Sequence, residues 1–205
     1  MDNAGLFDQE TLPGESVTFT PTRAAGLARL EKFLSRTAQH YERNRNYDFG
    51  PERRSNISVL SPWIRHRLIT EEDVLQLTLA RHSPSSAEKF IQEVFWRGYF
   101  KGWLEQHPSV WINYKRDLTQ KFDTLTSNSF VNADYHTAIE GCSGIDCFDH
   151  WAHELIETGY LHNHTRMWFA SIWVFTLGLP WQLGANFFMQ HLLDGDPASN
   201  TLSWR

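Results

Sequence analysis

Cysteine is scarce: the 205 residues hold two, Cys142 and Cys147, five apart in "GCSGIDC". That spacing matches no common zinc or redox pattern, so both are expected to be reduced structural thiols. No metal is expected either. His150 and His153 flank Trp151, and His162 and His164 lie two apart, but no His-x-x-x-His stands beside a carboxylate. Gly-x-Gly-x-x-Gly, a Gly-Lys-Ser/Thr phosphate loop and Gly-x-Ser-x-Gly are all missing, which removes support for a Rossmann, P-loop or hydrolase fold. There is no basic excess. A formal net charge of −5 excludes a uniformly basic nucleic-acid binder and leaves only a local basic groove. The most apolar run, Met167 to Leu179, is too short to span a bilayer. Met1 is followed by "DNAGLFDQE", which has neither the basic start nor the apolar stretch of a signal peptide. A cytoplasmic protein is expected. No repeat and no alternating strand pattern occurs, so the fold class is all-α.

What is abundant is tryptophan. Nine indoles, each with one N–H to satisfy when buried, imply large aromatic walls. Residues 1–20 read as an arm or linker, and 21–205 as one helical domain. The spacing of Leu27, Leu30, Leu34, Ala38 and Tyr41 predicts a single helix over 21–45, capped by Thr20 with Pro21 in its first turn. A loop is predicted over 46–63. A Thr-x-x-Asp capping box opens a helix at 70–82, and a longer one runs over 83–107 to Pro108. Residues 113–132 read as polar and irregular. Helices follow at 144–159, ended by Gly159, at 162–178, apolar nearly all round and therefore central, and at 180–195, ended by Gly195.

Polar groups crowd the ends of the last two helices, in "HNHTRMWFASIW" and "LLDGDPASNTLSW". Buried charge is costly unless paired. Arg166 opens one helix and Asp194 closes the next, so the two can pair.

Five ordered motifs then carry a resemblance. They are "LARLEKFL…YERNRNYDF", "SNISVLSP", "FIQEVFWRGYF", "TGYLHNHTRMWFAS" and "DGDPASNTLSW", spread over about Pro13 to Arg205. Together they resemble the helical flavin-binding domain of the photolyase/cryptochrome family. The resemblance implies FAD as cofactor. It implies Ser55, Asn56, Ile57, Ser58 and Tyr41 around the pyrophosphate, with Arg97 at the cavity wall. Asn163, Arg166, Asp194 and Asp196 would surround the ring and ribityl chain, with Asn200 facing the electron-accepting ring nitrogen. Glu93, Trp96, Asn163 and Met167 would meet a flipped pyrimidine lesion. Trp204 and then Trp181 would pass electrons inward. The family's third, solvent-edge Trp has no counterpart near Asn128; Trp111, Phe130 and Tyr135 are candidates to replace it.

The sequence departs from the family in three ways. It begins at the linker, without the N-terminal antenna domain; it stops at "NTLSWR", where relatives continue; and His164 stands where repair enzymes often carry a basic residue. The resemblance implies light-driven repair of damaged DNA. The alternatives are a cryptochrome-like photoreceptor without repair, favoured by the acidic balance, or a remnant that folds but holds flavin poorly. An antenna domain or C-terminal segment would come from a longer parent chain.

Overall fold

The computed structural model describes residues 16–205. Most of the predicted arm therefore lies outside the described residues. Residues 16–20 form no regular element, and the Thr20 carbonyl accepts from Trp63 Nε1 (2.8 Å). Every regular element among the described residues is helical.

The predicted first helix is interrupted. α1 spans Arg23–Phe33, a 3₁₀ turn follows at Leu34–Arg36, and α2 spans Gln39–Asn44. Thr22, not Thr20, is the cap, its hydroxyl accepting from Ala25 N. The expected loop holds a short helix, α3, at Ser61–Arg65, with Pro62 in its first turn where the lost N–H matters least. α4, Glu71–Arg81, carries the predicted capping box of Thr70 and Asp73. Arg23 also bonds both oxygens of Asp73 (2.8 and 2.7 Å), tying the starts of α1 and α4 together. That hydrogen-bonded pairing holds the Asp73 carboxyl well below its ordinary value.

α5 runs Glu88–Gln106. The stretch expected to be irregular is two helices, α6 at Pro108–Ser127 and α7 at Ser129–Ile139. Asn128 caps α7 with its side-chain oxygen. Polar residues dominate α6, but Tyr114, Leu118 and Leu125 sit on one side of it and meet the core. α8, Asp146–Thr158, ends at Gly159 in the left-handed conformation, as expected. α9 covers Asn163–Ser171 and passes into one π turn at Ile172–Thr176. Phe169 and Trp173 are fully buried, but Met167, Trp168 and Phe175 are exposed, so this helix is not buried all round. α10, Trp181–His191, stops before Gly195, because Leu192 turns extended. α11, Pro197–Trp204, was not anticipated; Asp196 caps it.

Two hydrophobic cores result. One gathers α1, the 57–64 segment, α4 and the start of α5 around Phe33, Trp63 and Phe90. The other gathers α6 to α11 around Phe148, Phe169, Trp173, Phe188 and Trp204. α11 packs on α5, α6 and α10. No described helix is long and apolar enough to cross a membrane.

The α10–α11 contact depends on a missing side chain. A Cβ on Gly184 would lie 2.5 Å from the Trp204 ring and 3.0 Å from Trp173. Gly184→Ala is therefore expected to cost roughly 1–3 kcal/mol, the usual penalty of overpacking. Urea unfolding with Trp fluorescence measures it, and an unchanged midpoint would show that α11 does not rest on α10 as described.

Candidate functional site

The polar helix ends meet at the junction of the two cores. Gly159 begins the arrangement. Its carbonyl accepts from Leu193 N (2.9 Å), which lays the segment after α10 against the end of α8. Asp194 then lies buried beside Arg166, whose Nη2 donates to its Oδ2 (2.9 Å), while Arg166 Nε donates to Leu161 O (2.9 Å). The predicted pair is present. Burial alone would raise the Asp194 pKa, but the Arg166 charge and hydrogen bond, with the Ser61 hydroxyl and Arg97, hold it below the ordinary value. Burial would likewise lower Arg166, and Asp194 keeps it raised.

Asp196 does two things at once. Oδ1 accepts from Ala198 N and Ser199 N at the start of α11 (2.9 and 3.2 Å). Oδ2 faces Lys101 Nζ (3.8 Å) and Arg65 Nε (3.7 Å). Asn200 donates from Nδ2 to Ala185 O (2.9 Å), which leaves its amide oxygen as the free end.

The Ser55–Ser58 loop is shaped from behind. Arg29 donates to the carbonyls of Arg54, Ile57 and Ser58 (3.2, 2.9 and 2.8 Å), and Arg36 to Ser55 O (3.0 Å). The two ends of a planar trans peptide point opposite ways, so the following N–H groups are turned away from Arg29. Asn56 spends its NH₂ on Asn44 O and Tyr47 O. Ile57 joins the first core. Val59 takes φ 54°, rare for a β-branched residue and the kind of strain found at ligand clamps.

Tyr41 is buried edge-on to Phe90 (5.2 Å between centroids), and its hydroxyl pKa is pushed far up by burial. Glu93 pairs with Arg45. Trp96 is 51 % exposed, Met167 61 %, and Asn163 is also open to solvent, so the four residues assigned to a lesion are reachable from outside. The two indoles expected to pass electrons, Trp204 and Trp181, stand on different walls. Trp204 meets Phe188 (5.0 Å) and Trp173 (6.2 Å), whereas Trp181 stacks on Tyr114 (5.6 Å), which meets Trp111 (5.3 Å). Burial raises Tyr114 to about 12. Tyr135 packs on Trp173, and Phe130 faces solvent.

Several residues escaped the sequence reading. Ser61, inside "SNISVLSP", meets Asp194 only through the fold. Thr201 and Asn186 gave no signal beyond helical spacing. Lys101 and Arg65 reach Asp196 only through the fold. An apolar recess of about 340 Å³ between α5, α6 and α11 is lined by Trp111, Pro108, Leu104, Pro197 and Ala198, with Lys101 beside them. Among the described residues no cluster of three or more His, Cys, Asp or Glu could hold a metal.

Comparison with protein families matches residues 90–205, more than half of the chain, to the family described as the FAD binding domain of DNA photolyase. The chain is 29% identical over 192 residues to a deoxyribodipyrimidine photo-lyase of Synechococcus sp., covering 90% of this chain and 38% of that one. It is 32% identical over 187 residues to that of Neurospora crassa, covering 87% and 29%. Among solved structures, a class III photolyase from Agrobacterium tumefaciens superposes with TM-score 0.72 at 27% identity, covering 90% of this chain and 37% of that one. A Synechocystis cryptochrome does so with 0.76 at 25% identity, covering 93% and 39%. The chain thus spans less than two fifths of the length of each.

The start of α9 titrates. His162 Nε2–H donates to Arg45 O (3.0 Å) and Nδ1 accepts from His164 N (3.2 Å), a pattern that only the neutral ring can satisfy. Burial lowers its pKa; the charges of His164 and Arg54 add to this, against Asp48. A depressed folded value means that His162 contributes its full stability above pH about 6.5, and that this is lost as pH falls through the folded value. His191, also lowered by burial, adds to the same acid loss. His162→Asn keeps a cap acceptor and removes the titration. Thermal melts from pH 5 to 7.5 are expected to show a shallower acid decline, and an unchanged slope would exclude His162 as the group responsible.

Proposed function

This chain belongs to the family of the FAD binding domain of DNA photolyase, and on that premise we propose that it is the flavin-holding part of a light-driven enzyme that repairs pyrimidine lesions in DNA. The family's cofactor is FAD. One observation carries the assignment of the site: six buried polar atoms without a hydrogen-bond partner lie on the motifs or on α10, which packs against α11. They are Ser55 Oγ, Arg97 Nε and Nη2, Asp194 Oδ1, Asn186 Nδ2 and Thr201 Oγ1. Unpaired buried polar groups each cost about 1–3 kcal/mol, so such a set calls for a ligand. FAD fits it. Cationic donors at Arg97 and Lys101 and the out-turned N–H groups of the Ser55–Ser58 loop suit a diphosphate. Asp194, Arg166, Asp196 and the free oxygen of Asn200 suit the polar edge of a flavin ring.

Bound FAD would supply the absorption of blue light and the electron given to the lesion. The chain's own part is to orient and to insulate. Asn200, anchored on Ala185, presents an acceptor in a fixed direction. The Phe169, Trp173, Phe188 and Trp204 wall keeps water away from one side of the junction. Glu93, Trp96, Asn163 and Met167 would meet the lesion, with Trp96 stacking on a flipped base. Trp204 and Trp181 would supply electrons, and Trp111, reached from Trp181 through Tyr114, would be the donor at the solvent edge. The reading carries a cytoplasmic location, damaged DNA as partner, and an antenna domain or C-terminal segment from a longer parent chain. A photoreceptor without repair is the second reading, favoured by the likeness to a cryptochrome and by the net charge of −5.

Two measurements test this. FAD at one hundred times its dissociation constant is expected to add about 2.7 kcal/mol of stability. Asp194→Ala, which strands the Arg166 charge, is expected to remove roughly 3–5 kcal/mol and most of the flavin; a melt indifferent to FAD ends the flavin reading. The second measurement separates the two functions. The repair reading expects binding of ultraviolet-damaged duplex that weakens steeply with salt, and loss of the lesion under blue light. Flavin photoreduction without lesion binding at low ionic strength would leave the photoreceptor.

A further inference from the structure

Behind the site lies a buried ion pair that none of the family motifs includes. Arg54, in the loop after α2, pairs through Nη2 with Glu154 on the inner side of α8. Their side chains are 4 % and 3 % exposed. Taking two charges out of water costs several kcal/mol per ion, so the pair is weak evidence for stability and invites another explanation. The same Nη2 reaches Tyr160 O (3.4 Å), and the Arg54 guanidinium carbon lies 4.6 Å from the centroid of the Tyr160 ring. Arg166 contacts that same ring, its guanidinium carbon 5.1 Å from the centroid. One aromatic ring is therefore shared by two guanidinium groups, and each has its own buried carboxylate: Glu154 for Arg54, Asp194 for Arg166.

We infer that Arg54 and Glu154 are positioning residues for the cofactor site, acting through the Tyr160 ring on the Arg166–Asp194 pair; this rests on the FAD reading above. The physical chain is short. Glu154 fixes the direction of Arg54. Arg54 fixes the tilt of Tyr160, because a cation–π contact is favourable over the ring face and weakens off it. The turn at Thr158 holds the Tyr160 backbone, with Thr158 Oγ1 bonding both Tyr160 N (3.2 Å) and Tyr160 O (2.9 Å), so the ring cannot follow by moving its main chain. Among the described residues Arg166 is held by three contacts: Leu161 O, Asp194 and this ring. Freeing the ring loosens Arg166, and with it the Asp194 oxygen that faces the cofactor. His150, 4.0 Å from the second Glu154 oxygen, and Asp48 are the other charged or titratable groups acting on Glu154. A plain structural strut would give Glu154 no influence on Asp194.

The test is a double-mutant cycle in the full 205-residue chain at pH 8. Glu154→Gln and Asp194→Asn are made singly and together, and read twice: by urea unfolding without FAD and by the FAD dissociation constant from flavin fluorescence. Non-additivity of at least threefold is expected in both. Tyr160→Phe keeps the ring and is expected to preserve it; Tyr160→Leu is expected to abolish it. Additive effects in protein that binds FAD, or coupling that survives Tyr160→Leu, overturn the positioning role alone. A parent that binds no FAD removes the cofactor reading and the positioning role with it. If Glu154→Gln strands Arg54 and unfolds the chain, the joint replacement Arg54→Met with Glu154→Leu takes its place. Native helix content with about tenfold weaker FAD binding is then expected, and parental affinity overturns the role.

Discussion

The buried contact between Arg166 and Asp194 is the constraint around which the molecule is arranged. Neither charge tolerates its position alone, since an unpaired ion in a dry junction costs several kcal/mol. Each therefore dictates where the other's helix must end. Arg166 sits one turn into α9, and Asp194 follows the unwound end of α10. The Gly159–Leu193 hydrogen bond brings the two segments into register. Once they are paired, Ser61 and Arg97 have a carboxylate to face, Tyr160 has a cation beside it, and α11 can start at Asp196.

An all-α protein has few places to build such a site. Inside a helix every N–H and C=O is already bonded, so spare donors and acceptors exist only at termini and in loops. Several polar residues of the junction stand at such ends, while Arg97, Lys101 and Asn200 reach it from within helices. His162 caps α9, Asp196 caps α11, and Ser61 stands at the first turn of α3. The loop of Ser55–Ser58 gains its shape from Arg29 on α1 rather than from any helix of its own. The aromatic side chains contribute what helix interiors do supply, a continuous apolar wall. Its closeness shows at Gly184, where the Trp204 ring takes the place of a side chain.

What could be read from the sequence had local causes. The capping box at Thr70 and Asp73, the left-handed end at Gly159 and the all-α class depend on neighbours three or four positions away. The Arg166–Asp194 pair was legible because cost alone forces two charges in apolar surroundings together. α6 and α7 were not. Their polar residues outnumber a thin apolar stripe that only the tertiary core makes meaningful. The break in the first helix, at Leu34–Ala38, interrupts a run whose apolar spacing continues across it. The Tyr160 ring, shared by Arg54 and Arg166, joins residues 106 and 6 positions from it and leaves no trace in any local pattern.

Net acidity and an anion-accepting site are compatible because of how carboxylates are shared. Glu71 faces Arg67, Arg97 and Lys101 at 2.8, 3.9 and 4.0 Å, and Asp196 faces Lys101 and Arg65. Two acids thus hold four cations in place, and Arg97 keeps N–H groups without a partner. Full neutralisation would need as many acids as bases at this point, and would leave nothing for a phosphate to bind. Too few would let long side chains scatter into water. Sharing settles the conflict: the acids cost less conformational entropy than they save, because each orders more than one neighbour. The surplus of negative charge lies outside this cluster, and charges exposed to water are screened within about 10 Å at ordinary salt. Local donor geometry, not the sum of charges, is what an anionic cofactor would meet.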